Sequence, residues 1–142
     1  MTENTKIDDS VVKQYLEAIK KNPSDDKMCN DLANAYFAAG HYREAIQHYE
    51  RAVEINPKQW IYYSNLGDAH ARLANLEEAI KYYNKAIELN PEDDWVYNGL
   101  GNAYSLKAEY DKAIEFYLRA IRIKRKKQNG LKRLSVRCTT VE

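Results

Sequence analysis

The chain is poor in the residues that punctuate or staple a fold. Its 142 residues include five glycines, three prolines and two cysteines. Gly and Pro at that level exclude collagen-like and low-complexity chains. Cys29 and Cys138 stand far apart, so they make no disulfide framework and no CxxC pair. Long apolar runs are missing too, and no stretch approaches the ~18 residues that a membrane span needs. The opening MTENTKIDDS has no basic region followed by an apolar core, so no secretory signal is expected and the cytoplasm is the expected location. Gly-rich phosphate loops and GxSxG elbows are absent. His41, His48 and His70 show no metal-ligand spacing with Cys or with one another, and are expected as surface or groove side chains. No metal, cofactor or small-molecule substrate is expected.

What is present is a hydrophobic share of 44% and a charged share of 30%, the composition of a soluble helical protein. The net charge of +1 conceals an asymmetry. Residues 1–118 carry 13 basic and 20 acidic side chains, whereas residues 119–142 carry 9 basic side chains and one acidic, Glu142. A split of that kind suggests a body and a tail with different partners.

Asn-Pro occurs at 22–23, 56–57 and 90–91, a step of 34 residues. At the same step Leu32, Leu66 and Leu100 align, as do Ala33, Gly67 and Gly101, then Tyr36, His70 and Tyr104. Ala45, Ala79 and Ala113 follow, then Tyr49, Tyr83 and Tyr117, then Ala52, Ala86 and Ala120. Leu, Gly and the aromatic or His fall at i, i+1 and i+4, one face of a helix. A glycine inside a helix costs about 1 kcal/mol relative to alanine, so two in register imply the close approach of another helix. The alanines, seven apart, line a stripe of a second helix. Proline ends each unit. The expected helices are 26–39, 42–55, 60–73, 76–89, 94–107 and 110–127, with Gly40 and Asn75 at inner turns and Asn129-Gly130 stopping the last. Residues 10–25 match only a second helix, capped by Ser10 or Asp9. Glu77-Glu78 and Glu92-Asp93-Asp94 fall at helix starts, where capping explains them better than catalysis; no enzyme is expected.

The pattern resembles the tetratricopeptide repeat family over about residues 10–127. It departs from the family where Cys29, Tyr63 and Tyr97 hold the usual aromatic slot, where His70 replaces tyrosine, and where Ala33 replaces glycine. The resemblance implies an all-α solenoid of antiparallel helix pairs: a flexible 1–9, a half repeat 10–25, repeats 26–59, 60–93 and 94–127, and a basic tail 128–142. Stacking of such units builds one continuous core.

The family's concave face comes mainly from the first helix of each unit. Its expected exposed stripe is Lys27, Asn30, Asn34 and Phe37, then Ile61, Ser64, Asn65, Asp68 and Arg72, then Trp95, Asn98, Asn102 and Ser105. Asparagine amides carry donor and acceptor together and pair with a peptide backbone whatever its side chains. Trp95, Phe37 and Ile61 would add apolar area. The family's clamp for a C-terminal carboxylate is incomplete: Asn34 and Asn65 match its asparagines, but Asn30, Trp95 and Gly99 stand where cations belong. A carboxylate needs such charge-assisted donors. The expected partner is therefore a protein or peptide segment, held without catalysis.

Two alternatives remain open. The basic tail could contact nucleic acid or an anionic membrane through phosphates. The open ends of the repeat array could instead self-associate, unless Leu131, Leu134 and Val136 fold back as a cap.

Overall fold

The structure, a computed structural model, describes residues 8–138, with side chains through residue 133. Its helices are α1 (Asp9–Lys21), α2 (Asp26–Ala38), α3 (Tyr42–Ile55), α4 (Trp60–Arg72), α5 (Leu76–Leu89), α6 (Asp94–Leu106) and α7 (Tyr110–Cys138). Carboxylates cap the starts of α1, α2 and α6. Asp25 and Asp93 accept the Met28 and Val96 N–H groups at 2.9 and 3.1 Å, satisfying donors that have no intrahelical partner. Asp8 caps α1 by accepting the Ser10 N–H at 2.9 Å, so the cap is not the expected Asp9 or Ser10 but the residue before them. Asn22, Asn56 and Asn90 close α1, α3 and α5 directly before the prolines.

The inner turns repeat with the same 34-residue step. Gly40, Ala74 and Ala108 take positive φ values of 81°, 59° and 60°. The residue after each then donates its N–H back to Tyr36, His70 or Tyr104 at 2.9 Å. This closure ends a helix by bending one residue into left-handed geometry. In the second unit that residue is Ala74, not the expected Asn75, which instead precedes α5.

Helices pair as α2–α3, α4–α5 and α6–α7, with α1 on α2, α3 on α4 and α5 on α6; α4 also meets α6. The aligned Leu32, Leu66 and Leu100 are buried, as are the six alanines of the second-helix stripe. What crowds the glycines is a ring, not a helix backbone. A Cβ on Gly67 would sit 2.6 Å from the Tyr83 ring, and one on Gly101 2.5 Å from Tyr117. Gly99 presses the same Tyr83 ring from α6, where a Cβ would also fall at 2.6 Å.

A second element shared by the units was not expected. Tyr36 stacks on His48, His70 on Tyr82 and Tyr104 on Phe116, with centroids 5.3–5.4 Å apart. His48 and His70 are therefore half-buried members of stacks within the units, not surface or groove side chains. Burial holds both imidazoles below the usual histidine pKa. Both His70 ring nitrogens are buried without a hydrogen-bond partner.

The C-terminal expectation needs correction. Asn129-Gly130 does not stop the helix, because α7 continues to Cys138. Gly130 has nothing within 4 Å of its would-be Cβ, so no neighbour holds it in a turn. The Lys, Arg and Leu residues around it are good helix formers, and one interior glycine costs only about 1 kcal/mol. Leu131 is 67% exposed and does not fold back; the Leu134 and Val136 side chains lie outside the described ones. Lys126 and Lys127 reach back to Glu92 and Asp94 at 3.2 and 2.7 Å. Tyr110, Ile114, Leu118 and Ile121 form an exposed apolar stripe on α7. Among the described residues no helix is long and apolar enough to cross a membrane.

Candidate functional site

One bond recurs between the two helices of every full unit. The Tyr49 hydroxyl donates to Asn34 Oδ1 at 2.7 Å, Tyr83 to Asp68 Oδ1 at 2.6 Å, and Tyr117 to Asn102 Oδ1 at 2.6 Å. The alanine stripe lets the tyrosine-bearing helix lie close, and the tyrosine then reaches through to the first helix. Asn34 and Asn102 thus commit one lone pair of the amide oxygen inside the protein and keep their amide donors for a ligand. Asn65 donates to Asn30 Oδ1 at 2.8 Å, which ties α4 to α2.

Two adjoining hollows lie on the side of α2, α4 and α6. The first, about 470 Å³, is lined by residues that include Phe37, Asp68, Arg72, Trp95, Asn98 and Asn102. The second, about 390 Å³, is lined by Trp60, Ile61, Ser64, Asn65, Asp68, Asp93 and Trp95. Asp68 and Trp95 belong to both, and Trp95 Nε1 donates to Asp68 Oδ2 at 3.2 Å. Trp95 is 65% exposed, so it is not core packing at the repeat junction. Burial raises the Asp68 carboxyl above the ordinary aspartate pKa, against the hydrogen bonds from Tyr83 and Trp95 and the Arg72 charge, which lower it. The Arg72 guanidinium lies 5.9 Å from the Phe37 ring centre. Among the described residues no cation forms an ion pair with Asp68.

The structure thus brings together Phe37, Ile61, Asn65, Asp68, Arg72, Trp95, Asn98 and Asn102. Lys27, Asn30 and Asn34 line neither hollow. Ser64, expected on the exposed stripe, is 4% exposed. Leu106 was missed; it is 69% exposed and lines the first hollow. The expected stripe passed from Asn102 to Ser105, at i+3, whereas the i+4 step from Asn102 reaches Leu106. Among the described residues no group of His, Cys, Asp and Glu is placed to hold a metal ion.

Stacked helix pairs with a side-chain-lined concave face define a helical-repeat interaction module. Two tetratricopeptide repeat models match the chain, one over residues 30–94 and another over 82–115. The chain belongs to the tetratricopeptide repeat family, whose role is protein–protein interaction. No curated protein matches the chain. Similar solved structures include "MamA MSR-1 C2", at 21% identity, TM-score 0.75, and coverage of 84% of this chain and 68% of that one. "Crystal structure of MamA protein" is similar at 22% identity and TM-score 0.77, with 84% and 66% covered. "MamA RS-1 ArsTM double mutant" is similar at 22% identity and TM-score 0.76, with 82% and 65% covered. The chain spans about two thirds of the length of these proteins. At such identities the likeness establishes the fold.

Proposed function

We propose that the chain is a non-catalytic scaffold that captures a peptide segment of a protein partner in the concave face. The observation that carries this reading is the pair of hollows that meet at Asp68 and the exposed Trp95 ring. Trp95, Phe37 and Leu106 supply apolar area, and the amide donors of Asn98 and Asn102 suit peptide carbonyls. Exposed aromatics in a pocket, ringed by polar groups, are the features that dominate binding energy at interfaces.

A phage-displayed library of random peptides, selected on the full chain, tests this. The expected result is a set of peptides whose binding is lost in Trp95→Ala and Asn98→Ala, with quenching of Trp95 fluorescence. No enrichment, or enrichment indifferent to both substitutions, overturns it. Asn34→Ala and Asn102→Ala are poor probes, because each also removes a tyrosine's acceptor.

A second reading, self-association, is favoured by the uncovered stripe Tyr110, Ile114, Leu118 and Ile121. At the aligned positions of the preceding unit Ile80 is buried and Ile87 half-buried. Contiguous exposed apolar area of this kind marks contact surfaces. Sedimentation across a wide concentration range should show association that Ile114→Lys and Ile121→Lys abolish; a constant monomer mass sinks the idea. Polyanion contact is less favoured, since Lys126 and Lys127 are already engaged with Glu92 and Asp94.

A further inference from the structure

The position that receives the tyrosine hydroxyl is Asn34 in the first unit, Asp68 in the second and Asn102 in the third. The fold needs only an acceptor oxygen there, and a neutral amide provides it twice. The middle unit carries a full negative charge instead, in a half-buried place where desolvation works against it. Packing does not ask for that charge. No described cation forms an ion pair with it: Arg72, one turn along α4, offsets it only through its field and extends over Phe37.

We propose that Asp68 is the specificity-determining residue of the concave face and receives a lysine or arginine side chain of the bound peptide. This rests on the peptide-capture reading above. The carboxylate accepts Tyr83 at one oxygen and Trp95 at the other. A carboxylate has about four lone-pair sites, so each oxygen keeps acceptor capacity toward the hollows. The Trp95 ring meets the carboxylate with its N–H edge and adds exposed apolar area beside it. The aliphatic stem of the incoming side chain would lie along Phe37 and Leu106, burying apolar length while its head reaches the charge. Asp93, on the rim of the second hollow, has its own carboxylate turned to the Val96 N–H as a helix cap. It adds to the negative field without competing for the site. Arg72 is the one cation lining the hollows, and its position favours a partner with acidic or carbonyl groups near the basic residue.

The repeat itself supplies the test. Asp68→Asn reproduces the side chain of the flanking units and keeps an acceptor for Tyr83, but it removes the charge together with the oxygen that accepts the Trp95 N–H, so the paired change in the peptide is what isolates the charge. Peptides selected on the parent chain, and dependent on Trp95, should be enriched in lysine or arginine. Their affinity should fall at least about tenfold on Asp68→Asn, the scale of a charge-assisted hydrogen bond. Replacing the peptide's basic residue by glutamine should cause a similar loss, and the two losses should not add. Unfolding midpoints of parent and variant, measured together, establish that the variant is folded. Trp95-dependent peptides without basic enrichment, or with affinity unchanged by Asp68→Asn, overturn this inference and leave peptide capture standing. Absence of any Trp95-dependent peptide overturns both.

Discussion

The Tyr83 ring is held between Gly67 of its own unit and Gly99 of the next, and its hydroxyl ends on Asp68. One side chain therefore belongs to the core, to the junction between units and to the floor of the concave face.

The charge on Asp68 has a stability signature. Its carboxyl is raised above 3.8, chiefly by burial. Between 3.8 and the folded value the folded chain binds more protons than the unfolded one, so stability is lost as pH rises through that window. Asp68→Asn should match the parent below the window and exceed it above, in urea midpoints measured from acid to neutral pH. Asp68→Ala should instead lose about 1–3 kcal/mol at neutral pH, because the buried Tyr83 hydroxyl loses its acceptor.

Glycines in this chain should respond oppositely to the same change. Gly67→Ala and Gly101→Ala place a Cβ 2.6 and 2.5 Å from tyrosine rings. Overpacking of that kind costs about 1–3 kcal/mol, enough to outweigh the helix preference for alanine. Gly130→Ala meets nothing and should raise helicity by circular dichroism, with a gain of up to about 1 kcal/mol in helix stability.

Ala74 and Ala108 hold left-handed geometry that Gly40 takes without penalty. The conformation costs an L-residue roughly 1–2 kcal/mol. Part of the relief is returned as extra freedom in the unfolded chain. Ala74→Gly and Ala108→Gly should each stabilise by about 0.5–1 kcal/mol in chemical denaturation. A loss at either site would show that the turn is not under strain.

His48 and His70 both have depressed pKa values caused by burial. The unfolded chain therefore binds more protons below about pH 6.5, and stability should fall as pH drops from there. His70→Phe keeps the stack on Tyr82 and removes two buried nitrogens without partners. It should flatten part of the pH dependence without lowering the neutral midpoint.

The solenoid was legible because its signals are local and repeated three times: Asn-Pro stops, the alanine stripe, the leucines in register. Periodicity places Asn34, Asp68 and Asn102 on one face, but it does not reveal that a tyrosine fifteen residues on donates to each of them. The histidine stacks escaped for a similar reason, since His48 and Tyr82 sit at one repeat position under different residue types. Asn129-Gly130 misled because a turn dipeptide stops a helix only when neighbours or local closure favour the turn, and none surround Gly130. Leu106 was overlooked because the stripe was closed at the adjacent Ser105.

The shared tyrosine ring also has a mechanical meaning. A repeat solenoid behaves as a spring whose pitch is set at its junctions, and one such junction here is a ring clamped between two glycines. Stretching or twisting the second unit against the third must move that ring, and with it the hydroxyl that positions Asp68. The pitch of the spring and the placement of its central charge are one variable.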